Sequence, residues 1–443
     1  MSAVPTLDAR LDWLRRFRDG VRLHHEELVE LASDEVGKPR FEALAADIMP
    51  LVASCNWHLR NGRRLLRARR VGGGGLFGLG HRVERRRVPA GRVLVIATWN
   101  YPVQLLGIQL VQAVVAGNAV VVKPSERAPR TQARLIELAV EAARGLPGID
   151  GTIESRSASR EEGRRVLADE RFDHVVFTGS TGVGRAIAEV CAARLIPTTL
   201  ELSGSDSAIV LSDADARAAA RAVFMGFTAN AGQTCMAPRR ALVARPALAA
   251  FTDELARLVA GALEPPNGRA MRPIAVLDCP AEGALFVGAH FGPALAVRAF
   301  DSLEEALALH ARAGQYLATS VWTRRPRAEP AERLAGRLAC AGSGLVHFNS
   351  VLLPSAHPGV SISGHGASGW GASRGEGGLL ALTREVFVTR TSALLAPPAD
   401  EPSAKVQSFL SKFLRWPLRA PAQAAPATGS RPVSPREEPS LRA

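Results

Sequence analysis

The sequence predicts an α/β protein: a doubly wound parallel sheet, then a second α/β unit. Three observations carry that prediction. From about residue 92 to 212, short β-branched runs alternate with helical stretches. The runs are apolar throughout, as in strands buried on both faces. A second alternation of helices and strands starts after about 205. With 47% hydrophobic residues in 443, the chain can bury a large core and form two or three domains.

Taken in order, residues 8–69 read as two helices. Leu7, Leu11, Leu14 and Phe17 recur at helical spacing, and Leu28, Leu31 and Val36 do so less perfectly. Gly72 to Gly75 end that pattern. The first sheet takes strands Arg92–Ala97, Ala119–Val122, His174–Phe177 and Thr198–Leu202, with helices such as 129–144 and 182–194 between them. The second unit reads as helix 214–229, strand 240–244 and helix 246–262, then helix 302–313, strand 316–322 and helix 329–339. The stretch 341–378 is Gly- and Ser-rich and reads as a loop between domains. Val386–Thr391 reads as a last strand whose edge can extend a sheet between subunits. Beyond Ala396 the Pro/Ala-rich text reads as disordered. Within it, Val406, Phe409, Leu410, Phe413 and Leu414 make an apolar stripe beside Lys405, Lys412 and Arg415, a short amphipathic helix over 405–416. The expected domains are 1–204, 205–372, a return segment 373–396 and a tail 397–443.

Composition excludes several classes. No run approaches the length of a membrane span, and Asp8, Arg10 and Asp12 interrupt any secretory h-region, so a cytoplasmic protein is expected. Five cysteines lie at 55, 191, 235, 279 and 340 with no C-x-x-C spacing, against a zinc site and against a disulfide framework. No metal is expected. The net charge of +13 is spread along the chain without an aromatic-interleaved patch, so no nucleic-acid partner is expected. Only four of the 55 basic residues are Lys, at 38, 123, 405 and 412, which makes a Lys inside a motif informative.

Five motifs are candidates for chemistry. Phe177-Thr-Gly-Ser-Thr-Gly-Val-Gly184 follows a strand and opens a helix, where backbone N–H groups approach a pyrophosphate. Its spacing is not the usual G-x-G-x-x-G, and Gly-rich turns are often only turns. Lys123-Pro-Ser-Glu126 ends another strand; the pair can hold ribose hydroxyls or be a solvated ion pair. In Thr98-Trp-Asn-Tyr-Pro102, Asn100 can aim its amide at an oxyanion or simply make a turn. Glu201, in Leu200-Glu-Leu-Ser-Gly204, can serve as a general base, although a lone strand-end Glu is usually surface. Cys235 ends Asn230-Ala-Gly-Gln-Thr-Cys235, a small-residue loop that can present a thiol.

In this order the five motifs resemble the aldehyde dehydrogenase superfamily, in its class 3-like branch, over roughly residues 8–395. The resemblance implies a Rossmann-like cofactor domain, a catalytic domain and a nucleophile at Cys235. It implies oxyanion donation by Asn100 and activation of water by Glu201. Lys123 and Glu126 match residues at the adenine ribose, Gly179 and Ser180 the pyrophosphate turn, and Phe291 a cofactor contact. Glu126 leans towards NAD, with NADP also admissible. The implied substrate is a small-molecule aldehyde, and the implied assembly a homodimer paired through strands near 82–89 and 385–391. The 405–416 helix is a candidate for docking on a membrane surface or another protein.

The departures are specific. The family's Glu-x-Phe-Gly-Pro reads Ala289-His-Phe-Gly-Pro293, losing a carboxylate that holds the nicotinamide ribose. Its Glu-Leu-Gly-Gly-Lys reads Glu201-Leu-Ser-Gly-Ser205, its Pro-Phe-Gly-Gly reads Ser361-Ile-Ser-Gly364, and the 262–289 span reads as shortened. A CoA-linked acylating dehydrogenase and a catalytically impaired scaffold therefore stand as alternatives, although retention of Glu201 favours hydrolysis over acyl transfer.

Overall fold

The computed structural model describes residues 4–74, 80–262, 272–391 and 403–414. It opens with α1 (Leu7–Leu23), capped by the Thr6 hydroxyl, and α2 (His25–Val36). Trp13 and Phe17 of α1 are fully buried and stack at 5.2 Å, each burial worth about 2–3 kcal/mol. Gly37, at φ +70, ends α2, and Pro39 blocks its continuation. A short α3 (Arg40–Ala43) then runs through a π-helical turn, Leu44–Ile48, into α4 (Met49–Leu66). The expected pair of helices is thus three and a short fourth. The break exists because Lys38 turns inward to pair with Asp47, both side chains fully buried, and amphipathic spacing does not report an inward Lys.

Next come β1 (Arg69–Val71), β2 (His81–Pro89), β3 (Arg92–Ile96) and α5 (Gln104–Ala116). Every residue of α5 is buried, as its all-round apolar sequence requires. The first sheet continues with β4 (Ala119–Lys123), α6 (Pro129–Ala143), β5 (Ile153–Ser155) and α7 (Arg160–Asp169). It ends with β6 (His174–Gly179), α8 (Thr181–Ala193) and β7 (Thr198–Leu202). The chain then enters a second sheet: β8 (Asp206–Val210), α9 (Ala216–Thr228), β9 (Pro238–Ala244), α10 (Arg245–Ala260), β10 (Ile274–Val276) and α11 (Ala284–Val287). It follows with β11 (Ala294–Phe300), α12 (Leu303–Ala311), β12 (Ala318–Trp322), α13 (Glu329–Cys340) and β13 (Leu345–Phe348). After these come β14 (Gly369–Trp370), α14 (Gly375–Ala381), β15 (Thr383–Thr391) and α15 (Ala404–Leu414).

The first sheet has the order β14-β7-β6-β3-β4-β5, parallel except for β14. The chain steps from β3 outwards to β4 and β5, then returns to β6 and β7. The strand order therefore reverses between β3 and β6, the switch point where open α/β sheets leave a crevice at their C-terminal ends. Asn100 follows β3, Lys123 ends β4 and Ser180 follows β6, so all three lie on that rim. The second sheet, β10-β11-β9-β8-β12-β13, is fully parallel. Apolar clusters cover both faces of each sheet, which explains why their strands are continuous apolar runs. β8 escaped the sequence reading because Asp206-Ser207 hides its start; Asp206 is fully buried as an acceptor for Leu317 N and Ala318 N, both at 2.8 Å. The segment 341–378 was expected as loop, yet it holds β13 and β14.

β1, β2 and β15 form a separate three-stranded sheet. By contacts the chain divides into two compact units, Met1–Val71 with Val83–Val388, and Gly72–Arg82 with Thr389–Ala443. In the second unit α15 leaves Lys405, Val406 and Lys412 exposed. Residues 415–416 of the expected tail helix, the remaining tail and 263–271 of the shortened span lie outside the described residues. Among the described residues no helix is long and apolar enough to cross a membrane.

Candidate active site

Cys235 sits in a loop fastened at almost every residue. After α9 the chain makes a tight turn with Asn230 and Ala231 at φ +52 and +53. Gly232 follows at φ +75, and a Cβ there would fall 2.1 Å from the Gly292 carbonyl carbon. Only glycine fits that approach. Asn230 N donates to Glu42 Oε2 at 2.7 Å, and its side-chain amide donates to Asn100 O at 2.8 Å. Asn100 Nδ2 donates to Gln233 O at 3.0 Å, while Thr98 Oγ1 donates to Asn100 Oδ1 at 3.0 Å. An amide nitrogen carries two hydrogens, so one remains for a ligand. The Tyr101 hydroxyl shares a 2.7 Å hydrogen bond with Thr234 Oγ1. Arg239 donates to Thr234 O at 2.8 Å and Gly292 O at 3.1 Å, and Gly204 N donates to Cys235 O at 3.1 Å. The end of β7, the turn after β3 and the 291–293 segment therefore meet at the thiol's loop.

Cys235 is 9% exposed and lines a cavity of about 350 Å³ with Tyr101, Gln104, Met225, Met236, Leu353 and Arg374. Burial pushes its thiol up to about 12; Glu201 and Asp206 add to the rise, while Arg374 and Arg239 oppose it. Glu201, in β7, is also buried. Its Oε2 accepts from Ser373 Oγ at 2.6 Å, and its Oε1 has no hydrogen-bond partner among the described residues. An idle carboxylate oxygen in a buried site is a ready acceptor for a proton from water.

The groups matched to the cofactor line the rim. The Lys123 ammonium is buried, 3.5 Å from Glu126, and burial lowers its pKa. Glu126 also accepts from Arg160 Nε at 2.7 Å. That cation, which sequence reading missed, offsets the carboxylate's repulsion of a 2′-phosphate. Gly179 lies over the Phe177 ring, where a Cβ would meet Cζ at 2.4 Å. Ser180 is exposed and makes no side-chain cap, which leaves the N-terminus of α8 open to an anion. Phe291 is 38% exposed, meets Trp99 edge-on at 6.0 Å and has Arg239 at 5.8 Å from its ring centre. Ala289 is exposed, and His290 turns away to the Ala294 carbonyl at 2.9 Å, so it does not replace the missing carboxylate. The open α8 terminus, buried Lys123 and free face of Phe291 fit a dinucleotide.

Sequence reading overlooked Arg374, Ser373, Glu42 and the Lys38–Asp47 pair. Lys38 lies 3.6 Å over the Tyr101 ring, and Asp47 Oδ1 accepts from Val103 N and Gln104 N at the start of α5. The rarity of Lys, which singled out Lys123, pointed equally to Lys38.

A parallel sheet whose strand order reverses, with the helix terminus after β6 open on its rim, is the architecture of a dinucleotide-binding protein. The sequence profile of the Aldehyde dehydrogenase family matches residues 3–262 and 250–388, two segments that overlap over 250–262, just before the span that reads as shortened. The chain is 31% identical to a "4,4'-diapolycopene aldehyde oxidase" of Methylomonas sp over 80% of this chain and 72% of that one. It is 32% identical to "Benzaldehyde dehydrogenase [NAD(+)]" of Pseudomonas putida over 72% and 71%. The solved NAD-dependent aldehyde dehydrogenase from Sinorhizobium meliloti superposes with TM-score 0.80 at 27% identity, covering 91% of this chain and 84% of that one. The chain belongs to the aldehyde dehydrogenase family. It is an NAD(P)-dependent oxidoreductase that converts an aldehyde to a carboxylic acid.

Proposed function

We propose that Cys235 attacks an apolar aldehyde, with Asn100 and Glu201 completing the reaction, in a cytoplasmic homodimer. The observation that carries this is the shared cavity: the thiol lines a mainly apolar chamber beside Gln104 and Arg374, and its loop is tied to Asn100. The Cys235 thiolate adds to the carbonyl carbon and forms a C–S bond. The free Asn100 amide hydrogen and the Cys235 N–H donate to the resulting oxyanion. A nicotinamide held by the rim residues would supply the hydride acceptor for that carbon. A thioester is then left on Cys235. Glu201 takes a proton from water as the water oxygen adds to the thioester; the C–S bond breaks, and acid and thiolate are released. Lys123 and Glu126 hold the adenine ribose, and Gly179 and Ser180 hold the pyrophosphate with the α8 terminus.

The aldehyde is of medium-chain or aromatic class. Phe41, Ala45, Leu105, Met225, Met236 and Leu353 line the chamber and suit an apolar tail, with Arg374 the one cation among its lining residues. Initial rates of NADH formation test this across octanal, benzaldehyde and succinic semialdehyde. The apolar pair should show kcat/KM at least about tenfold higher, since one or two buried methylene contacts suffice for that ratio. A preference for the semialdehyde would overturn the substrate class. We assign dimer pairing to the β2 and β15 strands, testable by light scattering of a variant lacking 383–391. The exposed lysines of α15 support docking on an anionic surface, and removal of 397–443 should then abolish vesicle co-sedimentation.

A further inference from the structure

Beside the thiol lies a buried cation without a carboxylate to answer it. Arg374 is 7% exposed. Its Nη1 donates to Ser355 O at 3.1 Å and its Nη2 to Gln104 Oε1 at 3.3 Å, both neutral acceptors. Its Nε is buried and has no hydrogen-bond partner among the described residues. A guanidinium held this way is destabilising unless something pairs with it. The backbone adds a second penalty: Arg374 adopts φ +61 and ψ 170, a region that glycine occupies almost alone. The fold maintains both against preference, and strain of this kind gathers at working sites. Arg374 and Cys235 line the same cavity.

We infer that Arg374 is the counter-ion of the Cys235 thiolate, a role that rests on Cys235 being the nucleophile. In the resting site the guanidinium is a lone buried charge. Loss of the thiol proton to water leaves the electron pair on sulfur and turns that lone charge into a pair. The charged and titratable groups that bear on the thiol come from several elements. Glu201 of β7 and Asp206 of β8 oppose ionisation, the Tyr101 phenol stays neutral because burial raises its pKa, and Arg239 of β9 assists. Arg374 opposes the rise more strongly than Arg239, which is committed to the Thr234 and Gly292 carbonyls. The placement gives a deeply buried thiol one favourable charge, which lessens the rise that burial imposes.

The test uses the full chain and the alkylation of Cys235 by iodoacetamide, followed on the Cys235-bearing peptide from about pH 7 to 10, below a midpoint that burial raises, where the rate follows the small thiolate fraction. Arg374→Gly deletes the cation while relaxing the backbone, and Arg374→Lys keeps the charge. Arg374→Gly should slow alkylation about tenfold or more across that range, as loss of one favourable charge does. Arg374→Lys should stay within about threefold of the parent, with thermal midpoints recorded for both. A glycine variant whose profile overlays the parent overturns the inference. So does a lysine variant that falls as far as the glycine one, which marks a packing role. Failure of the nucleophile reading looks different: aldehyde-dependent NADH formation would then survive complete alkylation of Cys235 in the parent.

Discussion

The two sides of the reaction crevice are built to different standards. On the thiol side, Asn100, Glu201, Asn230, Thr234 and Cys235 are all buried, and the loop is fastened through Glu42, Asn100, Tyr101 and Arg239. On the side assigned to the cofactor, Ser180 and Ala289 are exposed and Phe291 shows 38% of its surface. Attack on a carbonyl needs groups fixed before substrate arrives, because misplacement by an ångström costs orders of magnitude. Holding a large cofactor distributes the work over many contacts, so one carboxylate can go with a modest loss. On the proposed roles, the difference puts the weak point in cofactor grip rather than in bond-making.

Substitutions that separate the two sides follow that reasoning, from largest effect to smallest. Cys235→Ala removes the proposed nucleophile; NADH formation should fall by roughly 10⁴-fold or more, read by absorbance under saturating substrate. Glu201→Gln should lower steady-state turnover about 10²–10⁴-fold and yet leave a first-turnover burst of NADH in stopped flow, because hydride transfer precedes the step that needs the base. Loss of the burst along with turnover would show Glu201 acting earlier. Asn100→Ala should cost about 10²–10³-fold in kcat with little change in the cofactor's KM, as removal of an oxyanion donor does. Ala289→Glu tests the other side: it should lower KM for NAD several-fold, about 1 kcal/mol for a regained hydrogen bond, and raise kcat slightly. If it changes nothing, the contrast between the two sides is not one of cofactor grip.

Much of this was legible in the sequence because strand ends of a doubly wound sheet gather on one rim. Asn100, Lys123, Ser180 and Glu201 each follow or end a β-branched run, so their motifs and order were enough to place them at strand ends, while their roles are what the resemblance implies. Cys235 was legible only through its place in that order, since its loop shows no activating neighbour. Arg374 and Ser373 were not legible. Each acts across the sheet, Ser373 on Glu201 and Arg374 beside the thiol, and nothing in a Gly-rich segment tells which side chain turns inward. Lys38 and Asp47 were hidden for a related reason: an amphipathic reading assigns charged residues to solvent, and this pair is fully buried. The start of β8 was missed on the same ground, at the buried Asp206.

The most direct measurement is to trap the intermediate. Glu201→Gln enzyme is mixed with NAD and octanal, quenched in acid after one turnover, and digested for mass spectrometry. The account predicts an octanoyl group on the peptide carrying Cys235, in amount equal to the NADH formed. NADH formed with that peptide unmodified would contradict it.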